Sequence, residues 1–169
     1  SEKITDREAA RKIIDSFMLR AFRRPPTEDE AKELHGVYAR SRKAGESFQM
    51  AIRRALGAAL VSPAFLLKSE IAQDTDESYQ VSDYELACRL SYYLWASMPD
   101  DELIQLAAEK RLANPGELAE QVTRMLADPK AGTLGSVFAA QWLGFDSLGV
   151  RVRLDPIDNP WCTDTLMEA

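Results

Sequence analysis

Cysteine and histidine are nearly missing from this 169-residue chain, which has two cysteines, Cys88 and Cys162, and one histidine, His35. Two thiols so far apart build neither a disulfide framework nor a thiolate metal site, and one imidazole cannot assemble a histidine-rich zinc centre. Long apolar runs are missing too. The most apolar stretch, Ala55 to Leu67, is broken by Ser62 and Pro63 and falls short of the roughly 20 residues a membrane helix needs. No glycine-rich phosphate loop and no Cys-x-x-Cys-His string occurs, so neither a phosphate cradle nor covalent haem attachment is encoded here. Twenty-one basic residues are outnumbered by 27 acidic ones, for a net charge of −6, and bulk charge therefore disfavours nucleic acid and anionic membrane surfaces. The chain opens on Ser1 rather than Met, with no small-residue leader, so a piece of a longer polypeptide is expected.

What the sequence does have is helix punctuation. Thr5 with Glu8, Thr27 with Glu30 and Ser82 with Glu85 are three capping boxes, each predicting that a helix starts there. Ile13, Ile14, Phe17, Met18, Ala21 and Phe22 recur at three- and four-residue steps and define the buried stripe of the first helix. Pro25 and Pro26 end it, because each disfavours helical geometry in the residue before it. Ala31, Leu34, Val37 and Tyr38 mark a second helix, and Phe48, Ile52, Leu56, Ala59 and Leu60 a third, over about Glu46 to Val61. A short turn starting at Pro63 follows. Further starts are expected at Ser82, at Pro99 with Asp100, Asp101 and Glu102 in the first turn, at Asn114-Pro115, and at Asp128-Pro129. The last two of these helices would bury Leu118, Val122, Met125 and Leu126, then Leu134, Val137, Phe138, Trp142 and Leu143. The one alternating run, Val150 to Leu154, is too short to define a sheet. The pattern predicts an all-α fold, a compact bundle of about seven to eight short helices without significant sheet. Residues 72–79 form a polar connection without apolar period, which divides the chain into helical parts at 1–71 and 80–169. Asp164 to Ala169 reads as the opening of a helix that is cut short.

The two parts carry opposite charge, near +4 through Ile71 and near −10 beyond it. This predicts attraction across an internal interface, or a basic face for an acidic partner. Candidate chemistry is thin. His35 has no Ser or Cys nucleophile with it in sequence, and consecutive acids at Asp100, Asp101 and Glu102 are what helix capping alone requires. Met18 and Met98 read as core fillers. Cys88 reads as a buried thiol, since no base lies near it. Arg89 sits between Cys88 and Leu90 in an apolar stretch, and an ion pair from it to Asp100 or Asp101 is expected to pin the corner at Met98-Pro99. No catalytic, cofactor-binding or metal residue is assigned. The structural or interaction candidates are Arg89, Asp100, Asp101, Trp95, Trp142 and Trp161.

Two groups of strings carry a family resemblance. Phe17 to Glu30 (FMLRAFRRPPTEDE) with Ala55 to Leu67 (ALGAALVSPAFLL) resembles the domain-of-unknown-function family 1595, and Ala87 to Leu103 (ACRLSYYLWASMPDDEL) with Met125 to Lys130 and Phe138 to Gly144 (FAAQWLG) resembles family 1592. These domains occur in tandem in large planctomycete and related bacterial proteins. The resemblance implies a parent protein exported to the periplasm or cell surface, often with a c-type cytochrome module elsewhere in its chain, and no haem in this segment. It carries no catalytic residue. The function expected is a non-catalytic helical scaffold or docking module whose partners are other domains of the same chain. The alternative is part of an extracellular enzyme, which an open cleft uniting Arg89, Asp100 and Trp95 would favour, or a carbohydrate-binding unit using exposed tryptophans as platforms.

Overall fold

The computed structural model describes residues 4–67 and 79–144. The fold is all-α, and no strand occurs among the described residues. Within the described residues eight α-helices run in the order α1 (Asp6–Phe22), α2 (Glu28–Lys43), α3 (Phe48–Leu60), α4 (Pro63–Leu66), α5 (Asp83–Trp95), α6 (Asp101–Ala108), α7 (Pro115–Ala127) and α8 (Ala140–Leu143). A 3₁₀ turn, Pro129–Gly132, and a π-helical turn, Leu134–Ala139, lie between the last two.

The caps explain the boundaries. At Thr5, Thr27 and Ser82 the hydroxyl accepts the amide three residues on, and the glutamate there accepts the cap amide in return. Four amides at each helix start lack an intrahelical partner, and each box satisfies two of them. Asn114 caps α7 with Pro115 at its first position, where a missing N–H costs nothing. Pro99 departs from expectation: Asp100 is the cap of α6, accepting from Leu103 N at 3.0 Å, so the proline stands outside the helix.

Buried side chains gather in two clusters. The first unit, α1 to α4, buries Ile14, Met18, Phe22, Leu34 and Tyr38 around Ala51, Ala55 and Ala59. These alanines, four residues apart on α3, let the backbones of α1 and α2 approach closely. The bulky Phe48, Ile52 and Leu56, expected at the centre of that stripe, flank the alanines half-buried, and Leu60 is exposed. In the second unit, α5 to α8, the core is Ala87, Leu94, Trp95, Leu103, Leu106, Leu112 and Met125. Here Gln121 takes a buried position on α7, and Leu126 is exposed.

The last expected stripe is corrected everywhere but at Leu134. Leu134 packs against the second core, but Val137, Phe138, Trp142 and Leu143 face solvent. The physical reason is the winding: the 3₁₀ turn and the wider π turn break the 3.6-residue register on which the stripe was counted.

Candidate functional site

Trp95 closes α5 and is the hub of the second unit, only 2% exposed. Its indole N–H donates to the Met125 carbonyl at 2.9 Å. Two cations cover the ring, Lys130 Nζ at 4.4 Å and the Arg124 guanidinium at 5.6 Å from the centroid, where the negative face of the π system attracts them. Arg124 reaches on to Asp100, with Nη1 to Oδ2 at 2.7 Å and Nη2 to Oδ1 at 3.3 Å. Its Nε donates to Gln121 Oε1 at 2.8 Å, and Gln121 Nε2 donates to Glu102 Oε1 at 2.8 Å. Burial alone would raise the Asp100 carboxyl, but the Arg124 hydrogen bond and the Leu103 amide reverse this and hold it below its ordinary 3.8. Every polar group here has a structural partner, and such a network fixes α5, α6 and α7 in one arrangement.

Asp100 and Asp101, the two acids expected to receive Arg89, are engaged by Arg124 and Arg20 respectively, the latter at 3.2 Å from Asp101 across the two units. The corner at Met98-Pro99 is thus held from α7, which no local spacing could reveal. Arg89 lies on the exposed side of α5. With Trp95 buried beneath Arg124, no open cleft unites Arg89, Asp100 and Trp95. Met18 is buried as expected of a core filler, whereas Met98 is partly exposed, and Cys88 is half-buried. His35 Nε2 lies 2.8 Å from Asp15 Oδ1, tying α2 to α1. Trp161 falls outside the described residues.

On the outer side of the second unit, aromatic rings stand in a row. Tyr93 meets Phe138 edge-on at 5.6 Å, and Phe138 stacks on Trp142 at 6.2 Å with 17° between planes. Trp142 is 74% exposed and Tyr93 58%. Val137 and Leu143 extend the surface. Contiguous exposed apolar surface of this kind marks interaction sites on soluble domains, and the π turn that aims Phe138 outward belongs to a class of irregularity common at functional sites.

Sequence reasoning missed Arg23. Read there only as part of a helix stop, it is 7% exposed and takes a left-handed backbone with φ 58°. Its guanidinium donates to the carbonyls of Ala64, Phe65 and Leu67 at 3.0–3.3 Å and to the Tyr92 hydroxyl at 3.3 Å. Tyr93 was likewise overlooked.

Among the described residues, no group of three or more His, Cys, Asp or Glu side chains is arranged to hold a metal ion, and no helix is long and apolar enough to cross a membrane. What the two cores define is a pair of helical units in tandem. The chain belongs to the protein-of-unknown-function family DUF1592, whose model matches residues 81–169, and it carries ahead of it a match to the protein-of-unknown-function family DUF1595 over residues 9–70. Neither a curated protein nor a solved structure matches it.

Proposed function

We propose that this chain is a non-catalytic helical docking module of a larger exported protein, and that its partners are other domains of the same polypeptide. The observation that carries this reading is the uncovered row Tyr93, Phe138 and Trp142, next to a core whose charged groups are consumed by structural pairs. Rings and aliphatics exposed together favour a protein surface as occupant, since burying them releases apolar area at about 25 cal/mol per Å². Export to the periplasm or cell surface, and a c-type haem domain elsewhere in the parent chain, follow from the family resemblance and belong to the same proposal. No haem is assigned to this segment.

The test is size-exclusion chromatography of the chain mixed with the separately produced remainder of its parent protein. Co-elution is expected, and Phe138→Ser with Trp142→Ser should abolish it. Independent elution of the unaltered chain, or co-elution that survives the double substitution, would overturn the reading.

A further inference from the structure

Among the described residues, Arg20 and Arg23, at the end of α1, each make a polar contact with the second unit. Arg20 pairs with Asp101 at the surface, with both side chains largely in solvent, where an ion pair contributes little. Arg23 is different. It is buried, and its guanidinium lies between the C-terminal carbonyls of α4 on one side and Tyr92 of α5 on the other. The charge also faces the Tyr92 ring, 5.9 Å from its centroid.

The backbone at this point is informative. A residue closing a helix in the left-handed region is ordinarily glycine, because a Cβ is strained there. Arginine stands here because the left-handed turn sends its side chain back over α4, where helix-end carbonyls attract a cation. One planar fork then serves carbonyls of the first unit and a phenol of the second. From these contacts we infer that Arg23 is a latch coupling the two helical units into one cooperative body, with Tyr92 as its receiving group. The units have separate cores, so without such a latch each would open by itself.

The experiment is amide hydrogen exchange read by mass spectrometry across a urea series, on the full chain. In the unaltered protein, peptides from α1 to α3 and from α5 to α7 should open at one urea midpoint. Tyr92→Ala leaves every Arg23 bond to α4 intact and removes only the second unit's share. It should split the midpoints by at least about 0.5 M urea, with exchange in one unit roughly tenfold faster than in the other at intermediate urea. Tyr92→Phe, which keeps the ring and loses the hydroxyl acceptor, should give a smaller split, and it carries the test should Tyr92→Ala fail to fold. Tyr93→Ala, on the same turn but facing the aromatic row, should lower both midpoints together. Two midpoints in the unaltered protein, or a single unsplit midpoint in the Tyr92 variants that fold, would overturn the latch.

Discussion

The two units solve the same problem of burying short helices by different means. In the first, an alanine ridge on α3 lets three helices close around Ile14 and Met18, both fully buried, and its charges sit at the edge in pairs such as Arg24 with Glu30, Arg42 with Asp6 and Arg54 with Glu46. In the second, one large aromatic ring is held from above by two cations and from the side by a carbonyl. Both units leave apolar side chains in solvent, Val61, Leu66 and Leu67 in the first and Tyr93, Phe138 and Trp142 in the second, and in the second these are rings that contact one another. The over-wide turn of the second unit brings its exposed rings together on one face, and contiguous exposed rings present a surface for something else. Opposite net charge of the two halves contributes little to their contact: among the described residues the single ion pair between them is Arg20 with Asp101, and the others stay within a unit.

The contrast breaks most visibly at the two cores. Trp95→Ala should cost about 4 kcal/mol and Ile14→Ala about 3 kcal/mol. Conservative changes separate the two kinds of core. Ile14→Val removes one methylene and should cost about 1 kcal/mol. Trp95→Phe keeps an aromatic ring but loses the N–H to Met125 and weakens the attraction of Lys130 and Arg124, so about 2 kcal/mol is expected. Urea midpoints followed by circular dichroism check this. A Trp95→Phe variant within about 0.5 kcal/mol of the parent would mean that the second core is ordinary apolar packing after all.

How much of this was legible in the sequence depends on distance along the chain. Capping boxes at Thr5, Thr27 and Ser82 are complete within four residues, so the helix starts were readable. The all-α class followed from them and from the apolar period. Arg124 reaching Asp100 across 24 residues, and Arg23 reaching Tyr92 across 69, have no local spacing to betray them. Arg23 was hidden further by its setting before two prolines, where a helix stop explains the residue without a role. The stripe Val137, Phe138, Trp142 and Leu143 was counted with a 3.6-residue period through a segment wound as a π turn, and so its outward face was misread. The uncovered row could have been suspected from Tyr93 only by knowing that Phe138 lies against it.

Acid should separate the units in a fixed order. Hydrogen bonds from Arg24 foremost, helped by the Thr27 amide and opposed by burial, hold Glu30 at about 2 against an ordinary 4.5. A carboxylate depressed by folding contributes stability that is fully present above its unfolded value and is lost as pH falls toward its folded one. The first unit should therefore begin to weaken near pH 4.5 and lose this contribution by about pH 2. Solvent screening reduces it to about 1 kcal/mol. In the second unit Asp100 is depressed from 3.8, so its contribution starts to fall only below that pH, and Glu109 at the end of α6, lowered from 4.5 by Gln105 and Arg111, lies exposed at the surface, where such a pair contributes little. Exchange of α2 peptides relative to α6 peptides between pH 5 and 3, roughly the window these carboxyls span, should show α2 loosening first. Glu30→Gln should remove that difference, and its persistence in the variant would assign the effect to another group.

The smallest expected effect is the most diagnostic for the second unit. Trp142 is the most exposed of the three rings and, among the described residues, stacks on Phe138. Truncating an exposed side chain away from caps, cores and ion pairs changes stability by no more than about 0.5 kcal/mol. Trp142→Ala should therefore leave the urea midpoint of the chain almost unmoved while weakening its association with the rest of the parent protein. A tryptophan is expensive to leave in water, where it forgoes burial worth a few kcal/mol, and a ring that stabilises nothing in the chain has its use outside it. A loss above about 1.5 kcal/mol in the Trp142→Ala chain alone would place the ring in an internal core, and the aromatic row would then be part of the second unit's own packing rather than a face for a partner.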